Sequence, residues 1–152
     1  MTLRALVALV LGGLLAPVGC SSSSVRAGPP VTAARILLLD ANGGVTASVD
    51  IVSEGNVGSS VVLPQNALAR FRVVWLNDEG VPEPGATDPS LQLKVQLPPG
   101  HGLSFTVSGS AQYEGTLAGT VLQPVPVFVP MMLFDARQQR DLFTVLVPVE
   151  VH

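Results

Sequence analysis

The stretch LQLKVQL, residues 91–97, alternates without exception: Leu91, Leu93, Val95 and Leu97 fall on one face, and Gln92, Lys94 and Gln96 on the other. A period of two fits an extended chain with one buried side, whereas a helix would scatter these residues around its axis. The pattern recurs in ARFRVVWLND, where Phe71, Val73 and Trp75 oppose Arg70, Arg72 and Val74. It recurs again in LFTVLVPVEVH, where Phe143, Val145, Val147, Val149 and Val151 oppose Thr144, Leu146, Pro148, Glu150 and His152.

Shorter strand candidates lie at 34–40, 45–52, 60–64, 103–109, 112–122 and 125–134, with turn residues between them in DANGG, NDEGVPEPGATDPS and PPGHG. Helical spacing is absent apart from a single possible turn in DARQQRD, residues 135–141. Many short strands separated by Gly/Pro turns predict an all-β chain, an antiparallel β-sandwich of seven or more strands. Pro124, Pro126 and Pro130 share one parity, so in a strand their missing N–H groups line one side. That predicts an edge strand, with a polyproline-like cover strip as the alternative.

Hydrophobic residues make up 47% of the chain and charged residues 12%. Beyond residue 20 the apolar residues come in short bursts broken by Gly and Pro, so the excess is core and sheet. Eight Lys+Arg are scattered among eleven Asp+Glu, which excludes the clustered positive charge that nucleic acid requires.

The first twenty residues follow another order. Arg4 and the amino terminus precede an apolar stretch from Ala5 to Leu15, and small residues with a proline lead to Cys20, the one cysteine of the chain. A basic start, a short apolar run and a small-residue zone define a secretory signal peptide. With its single cysteine at the junction with a polar segment, this region resembles a bacterial lipoprotein precursor. Pro17, Val18, Gly19 and Cys20 stand in the lipobox positions; Val18 and Gly19 fit, and Pro17 replaces the usual Leu. The resemblance implies a lipid on Cys20 and anchoring to the cell envelope, and Ser21 after the cysteine points to an outer membrane where one exists. Cleavage after Ala27, which would release a secreted or periplasmic protein, is the alternative. The expected organisation is a signal peptide over 1–19, a Ser/Gly/Pro tether over 20–34 and a sandwich over 35–152. No cysteine follows Cys20, so the sandwich has no intrachain disulfide.

RFRVVWLNDEGVPEPGA, a Trp-bearing strand entering a polar turn and followed by another alternating strand, resembles bacterial immunoglobulin-like modules over residues 60–110. The resemblance implies an immunoglobulin-like sandwich and leaves function open.

Catalytic chemistry has little to work with. His101 lies between glycines in PPGHGLS, and His152 is the last residue. A nucleophile would need a base beside it, and no Gly-x-Ser-x-Gly elbow occurs; SGS at 108–110 reads as a turn. Two separated histidines do not make a zinc site, and His101 with Met131 and Met132 lacks the cysteine of a blue-copper centre. Asp78, Glu79, Glu83 and Asp88 share one loop and offer oxygen ligands for calcium, without EF-hand spacing. The expectation is therefore a non-enzymatic envelope module without catalytic residues, cofactor or metal, held at the membrane through the lipid on Cys20. Aromatics at 5% and a Trp75 that alternates as a buried residue favour a protein partner over a glycan, and no small-molecule substrate or nucleic acid is indicated. The alternative is a metal-handling protein or hydrolase that uses His101 with the acidic loop 78–88.

Overall fold

A computed structural model describes residues 27–52, 59–108 and 112–152. The signal segment, Cys20, the first part of the expected tether and residues 109–110 of SGS lie outside the described residues. Those described form nine strands: β1 (Ala33–Leu39), β2 (Val45–Val52), β3 (Val61–Leu63), β4 (Leu68–Leu76), β5 (Leu91–Val95), β6 (Leu103–Val107), β7 (Glu114–Gly119), β8 (Gln123–Asp135) and β9 (Arg140–Val151). They assemble into one sheet ordered β2-β1-β4-β7-β6 and a second ordered β3-β9-β8-β5. The chain is an all-β sandwich, antiparallel throughout these pairs except where β3 runs parallel to β9.

Alternation decides what lies inside. Phe71, Val73 and Trp75 meet Leu38, Ile36 and Ala34 across β4 and β1, and all but the half-buried Leu38 are nearly inaccessible. From the other sheet come Val129, Met131 and Leu133 on β8 with Val145, Val147, Val149 and Val151 on β9, each 1% exposed or less. Burying such a side chain contributes roughly 1.5–3 kcal/mol, so one contiguous apolar layer between the sheets holds the sandwich together.

Several boundaries differ from the sequence reading. β1 starts at Ala33, two residues ahead of the expected domain limit, and the Thr32 N–H already donates to the Leu76 carbonyl at 2.9 Å. Residues 135–141 make a hairpin turn instead of a helical one, with Asp135 opposite Arg140. The proline strand has an edge in its first half only. Residues 131–135 of β8 pair with β5 on one side and Pro130 bonds to the residue after β5, whereas among the described residues the part before Pro130 pairs with β9 alone. The Pro130 carbonyl accepts from the Gln96 N–H at 3.0 Å, so the polar groups of Pro130 face away from β9 and its missing donor costs the β8–β9 ladder nothing.

The sandwich has two distinct ends. At the end where β1 begins, the Tyr113 hydroxyl donates to the Ala86 carbonyl, Gln112 Nε2 donates to the carbonyls of Asp88 and Leu91, and the Ala136 N–H donates to the Ser90 carbonyl. At the far end the Gln65 N–H donates to His152, Asn66 to Gly119 and Thr120 to Gly102.

Candidate functional site

The residues of the catalytic and metal alternative do not converge. His101 lies at the far end, between Gly100 (φ 84°) and Gly102 (φ 61°), in the turn that leads into β6. The acidic loop lies at the opposite end, between β4 and β5. Its acids are committed locally: Glu83 Oε1 accepts the Gly85 N–H at 2.8 Å and caps a short 3-10 turn (Pro84–Thr87), and Asp88 Oδ1 accepts the N–H and hydroxyl of Ser90 at 2.9 and 2.7 Å. Asp78 and Glu79 sit exposed on a turn that the Asn77 side chain closes by accepting the N–H groups of Glu79 and Val81. Among the described residues no group of three His, Cys, Asp or Glu side chains could hold a metal ion. Met131 points into the core and Met132 to the opposite side of β8, so the pair does not join His101 in one site.

An open cleft of about 220 Å³ forms where Ala27–Pro30 pass the acidic loop. Its charged groups serve the fold: Asp135 Oδ1 accepts the N–H groups of Arg137 and Gln138, and Arg137 Nη2 lies 3.6 Å from Asp88. His152 is held in place, its N–H donating to the Leu63 carbonyl at 3.0 Å and its Nε2 lying 2.9 Å from Glu150 Oε2. Hydrogen bonds from Ser60 and then His152 keep the Glu150 carboxyl below the usual carboxylate range. Trp75 is buried and packs edge-on with Tyr113 and Phe143, which removes it as a platform for sugars.

What the structure does bring together is seen on the two outer faces, and the five-stranded one mixes ion pairs with the exposed Leu68 and Val52. On the five-stranded sheet, Arg35 binds Asp50 through two hydrogen bonds of 2.6 and 2.8 Å, and Arg72 Nε donates to Glu114 at 2.6 Å with Arg70 nearby. On the four-stranded sheet, Phe128 stands opposite Pro148 and Pro130 opposite Leu146, with Met132 and Phe134 further along the same face of β8. Phe128 is 46% exposed, Leu146 44% and Val62, on neighbouring β3, 52%. Lys94, which lies over the Phe134 ring at 4.7 Å, and Glu150 border this apolar strip. Val121, Leu122 and Val125 are also exposed, where the chain crosses from β7 into β8.

Sequence reasoning did not isolate this strip. Leu146 and Pro148 are visible on the minor face of the last strand, but only the β8–β9 register sets Phe128 and Pro130 beside them. Compared with family models, with curated proteins and with solved structures, the chain matches none of them. No helix among the described residues is long and apolar enough to cross a membrane.

Proposed function

We propose that this chain is a non-enzymatic lipoprotein of the cell envelope, acylated on Cys20, whose sandwich docks a protein partner on the apolar outer face of the β3-β9-β8-β5 sheet. The observation that carries the reading is the exposure of Phe128, Leu146 and Val62 together on one outer face; the other outer face sets the Arg35–Asp50 and Arg72–Glu114 ion pairs between its own exposed Leu68 and Val52. Large apolar side chains exposed on one face support an interaction site there. The separation of His101 from the acidic loop tells against the metal or hydrolase alternative.

The immunoglobulin-like reading is supported by strand order. With β4, β7 and β6 in the places of strands B, E and D, and β5, β8 and β9 in those of C, F and G, each neighbour relation among those six strands is present. β3 parallel to β9 supplies a first strand switched to the second sheet, and the β1–β2 hairpin extends the first. Trp75 stands on β4, not in the place of strand C, so the resemblance lies in topology.

Two measurements test the proposal. Intact-mass analysis of membrane and soluble fractions should find a wild-type chain that starts at Cys20 and carries acyl groups, and Cys20→Ser should lose both the acyl mass and membrane attachment. An unmodified soluble chain starting at Gly28 would overturn the anchor. A photo-crosslinking residue at Phe128 should trap a protein in cells, whereas one at Thr116 on the opposite outer face should not. No adduct from position 128 would overturn the docking face.

A further inference from the structure

Among the described residues four strands end the two sheets: β2 and β6 on one, β3 and β5 on the other. An edge presents unpaired backbone groups, and proteins protect it by shortness, lysine, proline or a bulge. β3 has three residues, β5 has five with Lys94 among them, and β6 has five, so each is shorter than β2. β2, VTASVDIV, has eight residues with neither lysine nor proline, and Thr46, Ala47, Ser48 and Asp50 are exposed. Its one charge, Asp50, is matched by Arg35 on the adjacent strand. A register shift opposite Leu38/Leu39 leaves Thr46 as the extra residue and Ala47–Val52 in regular pairing with β1.

We propose that β2 pairs with β2 of a second copy, antiparallel about a two-fold axis normal to the sheet, joining the two five-stranded sheets into one. This surface is separate from the docking face above and does not depend on it. Such an axis places each residue opposite one whose side chain lies on the same face, so the register is centred on a residue. Centring on Asp50 would set the two carboxylates against each other, and centring on Ser48 would run the ladder into the irregular Thr46. Centring on Val49 avoids both. Ser48 then faces the second copy's Asp50, a hydroxyl beside a carboxylate, and Ala47 faces its Ile51 on the core side. The strand is complementary to itself in this register, which argues for a second copy over an unrelated extended peptide.

Sedimentation equilibrium of the full chain carrying Cys20→Ser, which removes the acyl group as a cause of association, tests this. A reversible dimer is expected. Ser48→Asp should weaken it about fivefold by opposing the second copy's Asp50 on both sides of the axis, whereas Ser48→Lys, facing the same carboxylate, should not weaken it. Position 48 is exposed, so unchanged thermal unfolding of both variants at monomeric concentration separates loss of association from loss of fold. Phe128→Asp should leave the dimer intact. A monomer at every concentration, a dimer indifferent to Ser48→Asp, equal weakening by both Ser48 variants, or a dimer abolished by Phe128→Asp would each overturn the proposal.

Discussion

Tyr113 holds a backbone conformation, φ 64°, that a bulky side chain seldom adopts. Its surroundings hold it there. The Val73 N–H donates to the Tyr113 carbonyl, the ring packs edge-on with Trp75, Gln112 Nε2 donates to the hydroxyl at 2.9 Å, and that hydroxyl donates to the Ala86 carbonyl. Burial first, and then the Asp88 charge, push the phenol well above its ordinary range. Tyr113→Phe should cost about 1 kcal/mol in a denaturant titration, because the 3-10 turn loses the donor that ties it to the β6–β7 connection. The raised value means the folded chain holds the proton more tightly than the unfolded one. Its stabilisation is therefore complete below about pH 10 and declines as pH rises toward the folded value. Tyr113 is the only tyrosine. Ultraviolet titration should show phenolate appearing together with unfolding, and ordinary ionisation with the fold intact would contradict this. Asp50 shows the opposite sign: hydrogen bonds from Arg35 hold its carboxyl below the usual range. Its contribution is present above about pH 4 and disappears as pH falls through the folded value. With both side chains largely solvated, Asp50→Asn should cost less than about 1 kcal/mol at neutral pH and nothing in acid.

At the scale of elements, the two sheets approach closely where β7 passes β9. A Cβ built on Gly119 would collide with the Val151 side chain, whose Cγ1 would lie 2.9 Å away. Gly119→Ala should therefore destabilise by about 1–3 kcal/mol, and Gly119→Ala with Val151→Ala should recover part of that loss in a double-mutant cycle. The nine strands were largely legible because period two survives wherever one face is buried, and β2 occupies the whole of its expected span. What alternation does not encode is partnership. Val61 and Leu63 alternate whether β3 runs parallel or antiparallel to β9, and the prolines of β8 mark an open side without saying how far β5 covers it. Gln112 and Tyr113 read as the start of β7, yet they form the turn, since Tyr113 is held there by contacts with β4 and residue 86 that no local pattern records. The proposed docking face was hidden for a related reason. Phe128 and Leu146 lie in separate strands and become one surface only when β8 and β9 pair.

For the whole molecule, the position of the chain's entry sets which surfaces a membrane anchor leaves available. Ala27–Pro30 line the cleft beside the acidic loop, at the end opposite His101, Val121 and Leu122. Cys20 precedes Ala27 by seven residues, at most about 25 Å of chain. β8 alone, with 13 residues, extends about 40 Å. An acyl group on Cys20, as proposed, would therefore keep the acidic end near the bilayer and direct the far end outward. Acylation would also consume the one native thiol, so a cysteine introduced elsewhere would be the only site for a dye. A fluorophore on Glu79→Cys should be strongly quenched by a quencher carried on the lipid headgroups, and one on Leu122→Cys should be little affected. Quenching of both would mean that the sandwich lies along the membrane, and strong quenching at Leu122 alone would mean that the apolar far end is inserted. In the expected arrangement, Phe128 and Val121 face the space beyond the bilayer, where a partner on another surface would meet them.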